Sequence, residues 1–165
     1  MTTNFHKNLN PTKIIATAFF TGSIAGTIKF IEEKGNDQVE IQIKLKGLSP
    51  NTLQGYHVHE FGDIGNECQG TCAHFNPYNK THGGPTSKQR HVGDLGNLKT
   101  NKNGNINSIQ YDNVIKLHGI ANIVGRGLVI HSDEDDFGLG GHSESLTTGN
   151  SGKRIACSTI IYTKK

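Results

Sequence analysis

Residues 38–48 read QVEIQIKLKGL, and apolar Val39, Ile41, Ile43 and Leu45 alternate there with polar neighbours. A period of two sends successive side chains to opposite faces, so this stretch is a half-buried β-strand. Just upstream, AGTIKFIEE puts Ile28 and Phe30 on a common face, and the intervening KGND supplies turn residues. That combination predicts a hairpin. Further out, GYHVHEF, NSIQYDNVIKLHG, VGRGLVIH and KRIACSTIIYT also read as strands. KIIATAFFTGSIAG has some leader-segment character, but its apolar part is short, broken by Thr and continuous with a strand pattern. It is read as the first strand, which gives a cytoplasmic expectation and leaves the Asn79-Lys80-Thr81 sequon without meaning. No segment sustains a 3.6-residue period with caps.

Composition agrees with many short strands. The chain has 165 residues, enough for one domain spanning 1–165, and its 21 glycines are about 13% against an average of about 7%. Apolar content is only 33%, with no Trp and one Met. A formal charge of +3 is mild and dispersed, without the Arg-rich stripe and interleaved aromatics of a nucleic-acid binder. No apolar run approaches the ~18 residues of a membrane span. Three cysteines, Cys68, Cys72 and Cys157, default to free thiols in a reducing compartment.

Two segments break the strand rhythm, Gly62 to about Asp94 and Ser132 to about Gly152. Loops this long in a compact domain are usually functional. The architecture is therefore an antiparallel sandwich or barrel carrying two large loops. The first loop contains HFNPYNKTHGGPTSKQRHVGD, with His74, His82, His91 and Asp94. Three imidazoles and one carboxylate suit a closed tetrahedral zinc site, and bound metal adds its free energy to folding. A polar loop with scattered histidines is the bland alternative, and the density of ligands argues against it. On the preceding strand, His57 and His59 at i and i+2 project from one face, so both rings can reach one ion. Alone, that pair reads more readily as an ordinary exposed pair. His131 is the sixth candidate among nine histidines.

Five stretches, GYHVHEFGD, HFNPYNKTHGGP, RHVGDLGN, GRGLVIHSDEDD and TGNSGKRIAC, resemble the copper/zinc superoxide dismutases in order and separation, over nearly the whole chain from Lys13. The resemblance implies an all-β, eight-stranded antiparallel Greek-key barrel or sandwich with two long functional loops. It implies that His57, His59, His74 and His131 hold copper and that His74, His82, His91 and Asp94 hold zinc, with His74 bridging. The implied reaction turns superoxide into oxygen and hydrogen peroxide, with copper cycling and His74 as a proton-linked switch. Arg154 and Thr148 match channel-wall positions, and Asp135 matches a carboxylate bonded to ligands of both metals. Cys68 and Cys157 match a disulfide, which leaves Cys72 as either a small buried hydrophobe or a competitor for Cys157. Asp133, Asp135, Gly138 and Glu144 also fall at EF-hand offsets, but Phe137 occupies a ligand position.

The pattern frays in the second loop, where Ser143 stands in place of the usual acid and Thr147 in place of the usual lysine. A homodimer through Phe61, Gly62, Val124, Gly125 and the last strand is expected, with Ile161 and Tyr162 at positions usually held by smaller residues. A copper chaperone is a candidate maturation partner. The competing readings are a copper-delivery chaperone domain, which lacks support because there is no C-x-C pair, and a non-catalytic copper/zinc-binding protein.

Overall fold

The computed structural model describes residues 13–164, so the single-domain reading of 1–165 includes 1–12 and Lys165, which lie outside them. The strands are β1 (Lys13–Phe20), β2 (Ala25–Glu33), β3 (Val39–Lys46), β4 (Leu53–His59), β5 (Asp94–Lys99), β6 (Ile106–Asp112), β7 (Gly127–His131), β8 (Arg154–Thr159) and β9 (Ile161–Tyr162). They form two antiparallel sheets, β6-β3-β2-β1-β9 and β5-β4-β7-β8, in a Greek-key order in which β6 returns beside β3. Eight strands were expected, and nine segments are present because the last strand is interrupted at Ile160. It passes from one sheet to the other there, so the count differs and the topology does not.

The predicted hairpin is present, with Ile28 opposite Ile43 and Phe30 opposite Ile41. Those side chains are buried and face Tyr56, Val58, Leu128 and Ile130 of the other sheet in a single core. Each such aliphatic contributes about 1.5–3 kcal/mol by leaving water, and Ile43→Ala costs about 2–5 kcal/mol once the cavity is included. At Gly26 the chain needs φ +134°, and a Cβ would meet the Lys44 carbonyl at 2.1 Å, so only glycine fits this strand crossing.

Three strand readings change. GYHVHEF stops at His59, and NSIQYDNVIKLHG stops at Asp112, after which Ile115 and Leu117 join the core as buried residues outside any strand. Asp94–Lys99, placed at the end of a loop by sequence, is a strand. A single helical turn, α1 (Ser145–Thr148), interrupts the second loop.

Both long loops lie against the four-stranded sheet. The first clamps β4, since Val58 N–H donates to Gly93 O and Phe75 N–H donates to Val58 O. The second adds Gly55 N–H to Asp133 O, and His82 N–H to Leu146 O ties the loops together. Register shifts fall between Gly55 and His57 and between Ile130 and His131. Bulges re-aim side chains, and here each abuts a candidate ligand.

Candidate metal centre

The outward face of β4 carries His57 and His59, and the end of β7 carries His131. The first loop lays His74 against them through a bridge between His59 and His74. These four rings are buried, and one nitrogen from each lies within 4.8 Å of the others. His59 Nε2 and His131 Nε2 are 3.4 Å apart, and the ring centres of His57 and His74 are 4.1 Å apart.

His74, His82, His91 and Asp94 form a second buried quartet. Asp94 Oδ1 lies 2.9 Å from His74 Nδ1, 3.0 Å from His82 Nδ1 and 3.1 Å from His91 Nδ1. His91 Nδ1 and His74 Nδ1 are 3.4 Å apart. A tetrahedral ion with bonds of ~2.0 Å needs ligand atoms about 3.3 Å apart, so these edges suit zinc. His82 Nδ1 is close to Asp94 yet lacks hydrogen-bond geometry, as co-ligands of one ion do.

Three buried ring nitrogens have no hydrogen-bond partner: His57 Nδ1, His74 Nε2 and His82 Nδ1. Orphaned buried polar atoms are costly, and each of these belongs to a quartet. The opposite nitrogens are all engaged. His57 Nε2–H donates to Asp135 Oδ2 and His82 Nε2–H to Asp135 Oδ1, each at 2.8 Å. His59 Nδ1–H donates to Cys72 O at 2.8 Å. Such bonds fix the tautomer that leaves the other nitrogen free for a metal. His74 alone turns one nitrogen to each quartet.

Electrostatics follow from burial. Burial and the neighbouring imidazoles hold His57 and His59 well below the ordinary histidine value, and His131 falls to about 4 for the same reasons. His74 is lowered by burial against the pull of Asp94. Burial opposes protonation of His82 too, but the hydrogen bond to Asp135 and the negative charge of Asp94, 3.0 Å away, win and raise it to about 9. Burial would raise Asp94, yet hydrogen bonds from His74 and His91 and the nearby His82 ring hold it far below the carboxylate range.

Above the first quartet is a cavity of about 250 Å³. Its floor is His59, His74 and His131, and its wall is Glu144, Thr147, Thr148 and Arg154. Ser143 is exposed in the same loop. Arg154 is held by Cys68 O at 2.8 Å, Thr71 Oγ1 at 2.9 Å and Cys72 O at 2.6 Å. Cys68 is disulfide-bonded to Cys157, with Cα atoms 5.9 Å apart, so the free-thiol default fails for this pair. Cys72 is exposed, which corrects the buried-hydrophobe reading. The EF-hand alternative fails because Asp133 faces Ser132, Asp135 faces His57 and His82, and Glu144 lines the cavity.

Sequence reasoning missed the residues that brace this site. Asn97 bonds the backbone of Asp135, Ser145 Oγ donates to Asp136 at 2.6 Å, and buried Arg90 pairs with Asp112 at 2.6 Å. Arg90 adjoins His91 and was the one legible signal, as a long cation beside a ligand.

A β-sandwich whose two buried quartets share one imidazole defines a protein built for two adjacent metal ions. A family model described as copper/zinc superoxide dismutase (SODC) matches residues 24–160. The chain is 52% identical over 159 residues to the superoxide dismutase [Cu-Zn] of Paramecium bursaria Chlorella virus 1, covering 96% of this chain and 84% of that one. It is 47% identical over 151 residues to that of Yarrowia lipolytica (92% and 98%) and 46% over 140 residues to that of Saccharomyces cerevisiae (85% and 91%). The chain belongs to the copper/zinc superoxide dismutase family.

Proposed function

We propose that this chain dismutes superoxide, two anions and two protons giving one oxygen and one hydrogen peroxide. The observation that carries the reading is His74, with Nδ1 at 2.9 Å from Asp94 on one side and an unpartnered, buried Nε2 on the other. His57, His59, His74 and His131 are the copper set, and His74, His82, His91 and Asp94 the zinc set. Imidazoles suit copper, and three imidazoles with a carboxylate suit zinc. Copper supplies one-electron redox chemistry, while zinc supplies a fixed charge without redox change.

The protein's own groups then have defined tasks. Arg154, pinned by three acceptors at the cavity wall, attracts and orients the substrate anion. Thr148 narrows the same wall. His74 Nε2, facing the cavity floor, is the atom placed to hold a proton and pass it on. Asp135 orients His57 and His82 together.

The reading extends to a single domain acting as a homodimer in the cytoplasm, matured by a copper chaperone. Exposed Phe61, Ile64, Ile161 and Tyr162 supply apolar surface, and Thr159 Oγ1 donates to Gly62 O beside Gly125 and Val124. Among the described residues, no helix is long and apolar enough to cross a membrane.

The test is reconstitution with both metals followed by a superoxide assay and sedimentation. Dismutation by the wild type loaded with both metals, and its loss in His74→Gln, is the expected result. Stable binding of both metals without turnover would overturn the enzyme reading in favour of a buffer or delivery domain.

A further inference from the structure

A second cavity of about 590 Å³ lies beside the one that contains Arg154 and is more than twice its volume. Ala73, His74 and Thr147 line both spaces, so they form the partition between them. His91 completes the floor of the larger one, and Glu60 is its single acid. Its remaining walls mix apolar and cationic groups with the neutral polar Asn76 and Thr81. Phe75 and Leu146 are apolar, and Lys80 and Arg126 are cationic.

Arg126 is fixed in place. Its Nε donates to Asn122 O at 2.9 Å, its Nη1 donates to Glu60 O at 2.6 Å, and its guanidinium carbon sits 3.5 Å over the centre of the Phe75 ring. This leaves Nη2 and the open face of the guanidinium for a ligand. Lys80 is exposed and has a 3.1 Å bond to Lys88 O, so two of its ammonium protons remain. A mostly apolar cleft of roughly 300–1,000 Å³ with a few fixed polar groups is the usual build of a small-molecule site. A diatomic anion would leave most of this space unfilled.

We propose that this groove binds a small organic carboxylate with an aromatic or branched body. The carboxylate pairs with Lys80 and Arg126, and the body packs on Leu146 and Pro77 and reaches only the edge of Phe75, whose face Arg126 covers. Glu60 excludes dianions and favours a single negative charge. The occupant lies against His74 and His91 from the side away from Arg154, which separates this site from the substrate channel. Thr147 is short enough to leave both spaces open, so its size decides how far an occupant can lean on the channel wall.

The test uses benzoate, with neutral benzamide as the isostere, titrated into protein loaded with both metals and kept reduced. Amide and methyl NMR supplies a readout independent of dismutation. The expected result is saturable shifts in the millimolar range, centred on Phe75, Thr81 and Leu146. Lys80→Met should weaken benzoate about fivefold, as loss of a partly exposed ion pair does, and should leave benzamide unchanged. Leu146→Trp should fill the groove and abolish both, and Leu146 is 55% exposed, so the fold tolerates the change. Shifts that never saturate, shifts centred on Arg154 and His59, or equal benzoate affinity in Lys80→Met would each overturn the proposal.

Discussion

Asn97 and Asp135 exchange two hydrogen bonds, Asn97 Nδ2 to Asp135 O at 2.9 Å and Asp135 N–H to Asn97 Oδ1 at 2.8 Å. A β5 side chain thereby sets the position of a carboxylate that grips His57 and His82 by their outer edges. Groups that orient metal-binding imidazoles are worth about 10–100-fold in metal affinity. Asp135→Asn should lower zinc affinity by about that factor, and Asn97→Ala should lower it in the same direction by less. Chelator competition measures both, and wild-type affinity in Asp135→Asn would remove this carboxylate from the site.

Arg90 and Asp112 are both buried, and Arg90 also donates to His91 O at 3.2 Å and Val92 O at 3.3 Å. The pair fastens the zinc-side loop to the end of β6. Removing one member of a buried ion pair strands the other, at about 3–5 kcal/mol. Arg90→Met should show that loss in denaturant unfolding of the zinc-loaded protein. A loss under about 1 kcal/mol, the range of surface pairs, would mean that water reaches Asp112.

Stability of the metal-free protein should peak in the neutral range. His57 and His131 are held neutral by burial, below the ordinary value of 6.5. Such groups stabilise the fold above pH 6.5, and that contribution is lost as pH falls towards about 4, where His131 titrates. His82 has the opposite sign. Raised to about 9, it stabilises fully below pH 6.5, and its contribution is lost as pH rises through 9. Unfolding free energies measured across pH should show both limbs, and His82→Gln should flatten only the alkaline one. Zinc binding at neutral pH should also release the His82 proton, readable by calorimetry in buffers of different ionisation enthalpy.

Arg154 and Glu144 are the ionised side chains lining the channel cavity, so its wall carries little net charge. Steering of an anion by a weak field falls only slightly with added salt. The rate should therefore depend weakly on ionic strength, and Thr147→Lys should raise it at low salt and steepen that dependence. A steep wild-type salt dependence, unchanged by the substitution, contradicts this.

The disulfide closes 89 residues and anchors the segment whose carbonyls hold Arg154. The chain-entropy account assigns such a closure about 4–5 kcal/mol. Cys157→Ser should lose stability on that scale and should also slow turnover, because the carbonyls of Cys68 and Cys72 lose their position. Thermal unfolding and the superoxide assay read the two effects separately.

Strands with a clean period of two were legible because burial on one face writes alternation into the sequence, as in Val39–Lys46. DLGNLK escaped because it is buried nearly throughout and mixes Asp, Gly and Asn with Leu. Ile115 and Leu117 imitated a strand because a loop that is buried in the core needs the same apolar residues. The ligand types were legible from His57-x-His59 and from the loop histidines. Which rings share an ion was not, since that depends on how two loops fold back onto β4 and β7. Asn97 was invisible for a related reason, because its partner lies 38 residues away and nothing in the sequence joins them.

The two quartets differ in how far along the polypeptide their members are drawn. One is contained within residues 74–94, while the other is scattered over 57–131 on two strands and a loop. Closing a short segment costs less entropy than waiting for distant strands to meet. On the proposed ligand sets, loading should follow that order, with zinc captured by a partly formed chain and copper bound only once the sandwich is finished.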